Sequence, residues 1–315
     1  MQKLRLKYSG FSVTCGTHNY QMNIAILSTS ELLYSTQSLV AAAEKRNHDV
    51  EVIDPTYCNV LIENNKVLLQ YHNEVINDID AIIPRIGVLN TYFGTSILRH
   101  FEAMDVYTAA SSLGISQSRD KWISFQLMAK AGLPLPKTTL GSPAYLKDFL
   151  KDFGNGQVII KILEGTHGNG VILCENYTNA LSTVETLQGL RTRFVMQEFI
   201  AESRGTDIRA IVVGNKVIAA MKRSSKDNDF RSNLHQGGSA TTYLLSDRER
   251  EVAIGAAKAL QLDVCGVDIL QSKRGPLILE VNSTPGLEGI ETASGISVAG
   301  AIIEYVEKTA SLNIP

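Results

Sequence analysis

Two apolar strands near the C-terminus, each with acidic or amide side chains on one face, constrain the fold of this chain most. Gly266-Val-Asp268-Ile-Leu270 is followed, after the short stretch Gln271 to Pro276, by Leu277-Ile-Leu279-Glu280-Val-Asn282. Side chains alternate along a strand, so Glu280 and Asn282 share one face while Leu277, Leu279 and Val281 point the other way, into a core. A three-residue loop, Lys273-Arg274-Gly275 with Gly275 in the left-handed region, would set Asp268 directly opposite Glu280. Two acids facing each other between apolar neighbours repel and are costly to bury unless a cation neutralises them. A hard ion with oxygen ligands, Mg²⁺ or Mn²⁺, suits Asp268, Glu280 and Asn282, with waters and phosphate oxygens completing its shell. The other reading is the solvated face of an edge hairpin, which an antiparallel sheet shows in any case.

Upstream, apolar runs and helical periods alternate. Asn23 to Leu27, a helix over Gln37 to Lys45 and Asp49 to Ile53 predict a βαβ unit, extended by strands at Lys66 to Gln70 and Ala81 to Ile83 and a helix at Thr95 to Met104. Sheets of this kind bind ligands beyond the carboxyl ends of their strands, which puts Arg85, in Pro84-Arg85-Ile86-Gly87, at a rim where it is either a ligand contact or an ordinary surface arginine. Ser118 to Ala131 predicts one helix, ended by Gly132 and the two prolines of Leu133-Pro134-Leu135-Pro136. The remainder predicts a small strand and helix unit, then a strand-rich segment with helices at Asp247 to Leu260 and Val298 to Thr309.

Two further segments carry chemistry. Lys161-Ile-Leu-Glu164-Gly165-Thr166-His167-Gly168-Asn169-Gly170 joins a lysine at a strand end to three glycines, whose backbone can aim N–H groups at an anion such as a nucleotide phosphate. It is neither a P-loop nor a Rossmann fingerprint, and a Gly-rich hairpin turn explains it almost as well. The segment Lys222 to Gly238 is rich in cations, among them Arg223 and Arg231, and has no periodicity. It reads as a functional loop gripping carboxylate or phosphate, or as a mobile solvated one.

Composition limits the partners. The chain has 315 residues, 30 basic and 32 acidic side chains and a formal net charge of −2. No general attraction to nucleic acid or to anionic membranes is expected, so a charged ligand must meet a local cluster. Cys15, Cys58, Cys174 and Cys265 stand far apart with no metal spacing, which fits a reducing, cytoplasmic setting. No apolar run is long enough to span a bilayer. Residues 1–21 read as a tail, with an acid-poor transit peptide as the other reading and Met22 as another start.

The blocks Lys-x-x-Glu-Gly-x-x-Gly-x-Gly, Asp-Phe-Arg-Ser-Asn, Gly-Val-Asp-x-Leu and Leu-Glu-Val-Asn, in that order, resemble the ATP-grasp ligases. With Ile83 to Gly87, Ser118 to Lys121, Gln197 to Ile200, Gly205 to Arg209 and Asn282 to Gly289, the chain resembles the RimK family of glutamate ligases from Met22 to about Thr309. The resemblance implies an α/β and α+β chain, an ATP-grasp fold preceded by a parallel-sheet pre-ATP-grasp domain. Its parts would be a tail (1–21), the pre-ATP-grasp domain (22–112), a central subdomain (113–196) and a C-terminal subdomain with the metal site (197–315).

By position the resemblance further implies that Lys121 and Lys161 contact ATP, that Glu198 and Phe199 sit at the adenine hinge and that Asp207 holds the ribose. Arg231, Ser232 and Asn233 would line the phosphates, Arg223 would stand near an acyl phosphate, and Asp268, Glu280 and Asn282 would hold two Mg²⁺ or Mn²⁺. The implied activity is ATP-dependent addition of L-glutamate to the C-terminal glutamate of the sixth protein of the small ribosomal subunit, through an acyl phosphate. The partner is that protein's acidic tail, with no direct contact to nucleic acid or membrane, and a homo-oligomer such as a tetramer is implied. Two other readings are the same chemistry on a small amino-acid or cofactor acceptor, poly-α-glutamate synthesis included, and a non-catalytic ATP-binding regulator.

Overall fold

In the computed structural model of the chain, residues 21–141, 143–154, 156–163, 170–226, 229–232 and 237–311 are described. The first βαβ unit is β1 (Asn23–Leu27), α1 (Tyr34–Glu44) and β2 (Asp49–Ile53). An antiparallel ribbon follows, β3 (Cys58–Glu63), β4 (Lys66–Tyr71) and β5 (Glu74–Val75), of which the sequence predicts only the middle strand. The β3–β4 turn was legible, since Asn64 and Asn65 both take the left-handed region that asparagine tolerates. Next come β6 (Ala81–Pro84), α2 (Thr91–Ala103) and β7 (Tyr107–Thr108), and the four strands β2-β1-β6-β7 make the expected parallel sheet.

The helix predicted from Ser118 to Ala131 is two helices, α3 (Ser112–Arg119) and α4 (Lys121–Lys130). Asp120 is extended between them, and its carboxylate accepts the backbone N–H groups of Trp122 and Ile123, each at 2.9 Å. A short acid that can satisfy two orphan donors starts a new helix better than it continues an old one. Ile115, Phe125 and Met128 of this pair enter the large core beside Phe101, Leu260 and Val281.

A small subdomain follows: β8 (Thr138–Thr139), α5 (Leu146–Lys151), β9 (Val158–Ile162), β10 (Val171–Cys174), α6 (Tyr177–Gly189) and β11 (Phe194–Glu198). Its antiparallel sheet runs β10-β9-β11-β8, and Leu150, Val184, Ile160 and Met196 form a core of its own.

The C-terminal part holds β12 (Thr206–Val213), β13 (Lys216–Ser224), β14 (Ser239–Thr242), α7 (Asp247–Ala259), β15 (Val264–Ser272), β16 (Gly275–Asn282), α8 (Glu288–Ser294) and α9 (Val298–Ala310), with sheet order β14-β13-β12-β15-β16. The helix α7 begins in a capping box between Ser246 and Glu249, the arrangement its Ser-x-x-Glu start favours. On one face of the sheet Ala210, Val212, Val267 and Ile269 pack with Val252, Ala253 and Ala256 of α7. On the other, Ile211, Val213, Ala219 and Met221 pack under α8 and α9 through Ile290, Ile302 and Ile303. Those helices cover only one end of that face, and the uncovered end carries the charged residues described below. The first domain docks through α1 on α9, where Arg46 Nε donates to Glu307 at 2.6 Å and His48 Nε2 lies 2.7 Å from the same carboxylate. Among the described residues no helix is long and apolar enough to cross a membrane, and Cys58, Cys174 and Cys265 are buried free thiols.

Candidate active site

Strand pairing assembles a ladder of charge on the uncovered end of the large sheet. Asp207 and Arg209 lie two residues apart on β12, so both point to one face. Asp207 stands opposite Arg223 on β13, Arg209 opposite Asp268 on β15, and Asp268 opposite Glu280 on β16. The expected pairing of the two acids is therefore present, but by another route. The hairpin closes on two residues, Lys273-Arg274, with Ser272 opposite Gly275, and a bulge between Asp268 and Ile269 restores the register. The bulge also turns Ile278 fully into the core and leaves Leu279 half-buried, whereas Leu279 was the expected core residue.

The cation that the two acids were expected to need is, for Asp268, supplied by the protein. Arg209 Nε and Nη2 donate to its two oxygens at 2.7 and 2.6 Å, and Arg223 Nη2 donates to Oδ2 at 2.8 Å. Arg223 also forks onto Asp207, Nε at 2.6 and Nη2 at 2.5 Å, and Ser232 Oγ donates to Asp207 at 2.5 Å. Asp207, Arg223 and Asp268 are all more than nine-tenths buried. Burial alone would raise the pKa of Asp268, yet Arg209 and Arg223 outweigh it and hold the carboxyl below its usual range. For Asp207, burial and then Asp268 raise the pKa against the pull of Arg223. Burial would lower the Arg223 pKa, but the facing acids raise it. The two N–H groups on Nη1 of Arg223 have no partner among the described residues.

Glu280 differs from Asp268. Its side chain reaches solvent, yet it sits in a cleft crowded by protein, and that burial and the charge of Asp268 raise its pKa. Asn282 Nδ2 bridges the two acids, at 3.3 Å from Asp268 and 3.2 Å from Glu280. No group of three or more Asp, Glu, His or Cys that could hold a metal occurs among the described residues. Two carboxylates and one carboxamide, all oxygen ligands, with one acid left short of cationic partners, suit a hard divalent ion that also takes phosphate oxygens.

Two lysines come to this cleft, one from the small subdomain and one from α4. Lys161 on β9 is 7% exposed, and burial pushes its ammonium down to about 8; Lys121 lowers it further, while Glu280 and Asp268 pull it back up. The lysine therefore faces the acids across the cleft between the two sheets. Lys121, the first residue of α4, reaches the carbonyls of Ile162 and Leu163 at 3.2 and 3.3 Å, next to Lys161. Below pH 8 the Lys161 ammonium is charged and attracts polyphosphate; above it the free protein carries a neutral amine there. Nucleotide affinity should thus weaken as pH rises past about 8, by up to about tenfold per unit. Calorimetric titration from pH 7 to 10 checks this, with Lys161→Arg expected to flatten the profile.

Other expected contacts fall differently. Asp207, implied at the ribose, accepts from Arg223 and Ser232 on its two oxygens. Arg231, implied at the phosphates, pairs with Asp229 at 2.8 Å and lies over the Phe230 ring. Asn233, and residues 164–169 of the glycine segment, lie outside the described residues. Glu198, implied with Phe199 at the adenine hinge, is the last residue of β11, and Phe199 follows it. Glu198 accepts from the Lys137 backbone at 2.6 Å and pairs with Arg274, and Arg204 lies over Phe199. Arg209 received no role from the sequence, although its period-two spacing from Asp207 was a legible sign that both face one way.

Comparison with known proteins agrees with this geometry. A family model described as RimK PreATP-grasp domain matches residues 22–115, and one described as RimK-like ATP-grasp domain matches residues 118–306. A probable alpha-L-glutamate ligase of Vibrio parahaemolyticus is 50% identical over 293 residues, covering 93% of this chain and 97% of that protein. One of Hydrogenovibrio crunogenus is 49% identical, covering 92% and 96%. In fold the chain is similar to the ATP-grasp ligase PsnB complexed with a phosphomimetic variant of its minimal precursor, Mg and ADP, with TM-score 0.72, 19% identity and coverage of 92% and 99%. It is also similar to D-alanine–D-alanine ligase of Bacillus anthracis complexed with ATP, with TM-score 0.63, 17% identity and coverage of 92% and 98%. An arginine and acid ladder on one sheet, a lysine from a second sheet and another from α4 beside it, and family models that match residues 22–115 and 118–306 together make this chain a member of the RimK family of ATP-grasp ligases.

Proposed function

We propose that the chain is an ATP-dependent carboxylate–amine ligase that adds L-glutamate to the C-terminal glutamate of a small-subunit ribosomal protein through an acyl phosphate. The observation that carries this reading is the approach of Lys161, on β9, to Glu280 and Asp268, and of Lys121, at the start of α4, to Glu280. Chemistry of this kind needs alignment and charge neutralisation more than a protein nucleophile, and the cleft supplies cations and acids. In the first step an oxygen of the acceptor carboxylate bonds to the γ-phosphorus and the bond to the β-phosphate oxygen breaks, releasing ADP. In the second, the glutamate nitrogen bonds to the acyl carbon, the bond to phosphate oxygen breaks, and the amine loses a proton.

Lys161 and Lys121 would orient the triphosphate, and the free Nη1 edge of Arg223 would meet the charge that grows on the acyl phosphate. Asp207 and Asp268 hold that guanidinium in place. Asp268, Glu280 and Asn282 would hold divalent ions, Mg²⁺ or Mn²⁺, which neutralise phosphate charge when bound. The names of the half-identical relatives support glutamate as the added amino acid.

The test is ADP release with Mg²⁺, glutamate and synthetic peptides that end in glutamate, read alongside mass spectrometry of ribosomal proteins incubated with the enzyme. A ladder of added glutamates on one small-subunit protein is expected. ATP binding without ADP release for any amine and carboxylate pair would overturn the ligase reading.

A further inference from the structure

Arg209 is left over by this chemistry. It lies on β12 directly opposite Asp268 on β15. Its guanidinium meets that acid as a two-pronged fork, with Nε donating to Oδ1 at 2.7 Å and Nη2 donating to Oδ2 at 2.6 Å. Such a fork covers the edge between the two carboxylate oxygens, which is also the edge through which a carboxylate chelates a metal ion with both oxygens.

A carboxylate offers about four lone-pair sites, shared between its two oxygens. The Arg209 fork takes one site on each oxygen of Asp268. On Oδ2 the remaining site goes to Arg223 Nη2, at 2.8 Å, and Asn282 Nδ2 lies 3.3 Å from the same atom. Oδ1 receives no second donor among the described residues. Asp268 is 1% exposed, so bulk water does not compete with the arginines for these sites. Glu280 makes the contrast. No arginine forks onto it among the described residues, and Asn282 Nδ2 donates to its Oε1 at 3.2 Å, which leaves its chelating edge open.

The choice between ions turns on that edge. Ca²⁺ is large, takes many oxygens and readily accepts both from one carboxylate, whereas Mg²⁺ demands a near-octahedral shell made from few carboxylates, phosphates and water. We infer that Arg209 is a positioning residue that restricts Asp268 to one metal-facing oxygen, Oδ1, and thereby sets the preference of the nucleotide site for a small octahedral ion over Ca²⁺. This rests on the placing of divalent ions at Asp268, Glu280 and Asn282, and it deepens that reading by naming the side chain that selects the ion.

The experiment measures by calorimetry the Kd of a non-hydrolysable ATP analogue with Mg²⁺, with Ca²⁺ and with neither, for wild type, Arg209→Lys and Arg209→Met. Wild type is expected to bind more tightly with Mg²⁺ than with Ca²⁺. Arg209→Lys keeps a cation beside Asp268 but lacks the planar fork, so the preference should fall by about tenfold or more, the scale on which partners of metal ligands act. Arg209→Met should lower it at least as far. A loss of stability, or of affinity common to both ions, cancels in the ratio, so an arginine that only neutralised Asp268 would leave the ratio unmoved in Arg209→Lys. If that variant keeps the wild-type ratio, the inference is wrong. Should it not fold, an unchanged ratio in Arg209→Met overturns the inference equally. A wild type with no preference for Mg²⁺ over Ca²⁺ also overturns it, and one that binds the analogue as well without either ion overturns the metal placement too. Failure of the ligase reading is seen separately, as a wild type that prefers Mg²⁺ yet releases no ADP with any substrate pair.

Discussion

Replacing Glu280 by glutamine is expected to cut turnover by at least about a hundredfold while leaving the fold as stable as before or slightly more stable. The first part follows from its place as the acid with fewest cationic partners in the cleft, where a divalent ion has most to gain. Even the outer partners of metal ligands are worth about 10–100-fold. The second part follows from the sign of its shift. Burial and the facing Asp268 raise the folded pKa of Glu280, so its ionised form is less comfortable in the folded protein than in the unfolded chain and lowers stability above the ordinary carboxylate range. The neutral amide removes that cost, and the advantage should vanish as pH falls below the ordinary carboxylate range, where the acid is protonated in either state. Thermal melts at pH 4 and 8, beside ADP release, check both parts. Near-normal turnover would remove Glu280 from the metal site, and a large loss of stability would show that it holds the sheet together.

Arg223→Met should do the opposite, destabilising the fold by about 3–5 kcal/mol and abolishing turnover. The guanidinium is the sole cation on Asp207 among the described residues and shares Asp268 with Arg209. Without it Asp207 is a buried carboxylate with only the Ser232 hydroxyl as a partner. Its pKa, already raised, would rise further. A raised folded pKa makes the folded state bind the proton more readily than the unfolded chain, so the deficit should shrink as pH is lowered. Urea denaturation at pH 5 and pH 8 measures this. Arg223→Lys should recover part of the stability and little turnover, since an ammonium cannot make the two-pronged contact to Asp207 and still reach Asp268. A small, pH-independent loss in Arg223→Met would mean that the acids are neutralised in another way.

Much of the fold was legible because its signals are local. Parallel strands announced themselves as short apolar runs between helical periods, and α7 and α9 as amphipathic stretches with Ser caps. Local chemistry also explains where that reading fell short. Asp120 sits inside a stretch that looks helical throughout, yet it breaks the stretch because its carboxylate caps the next helix. The strand β3 carries polar and apolar residues in no clean alternation and is half-exposed along much of its length, so it had no periodic signature.

The candidate site divides along the same line. Sequence alone determined that Glu280 and Asn282 share one face of a strand, because side-chain alternation is a property of the strand itself, whereas the bulge between Asp268 and Ile269 set Asp268 opposite Glu280. It determined too that a lysine stands at the end of β9 and that the cations are gathered into one segment. Which cation meets which acid was decided only by the tertiary structure. Asp207, Arg209, Arg223 and Asp268 come from three strands separated by up to 61 residues in the chain, and they meet only because β12 lies between β13 and β15. The open face that receives Lys161 exists because α8 and α9 stop short of that end of the sheet. Pairwise electrostatics falls off over a few ångströms, so it is fixed by strand order and by the docking of one sheet against another, and no local pattern encodes those distances.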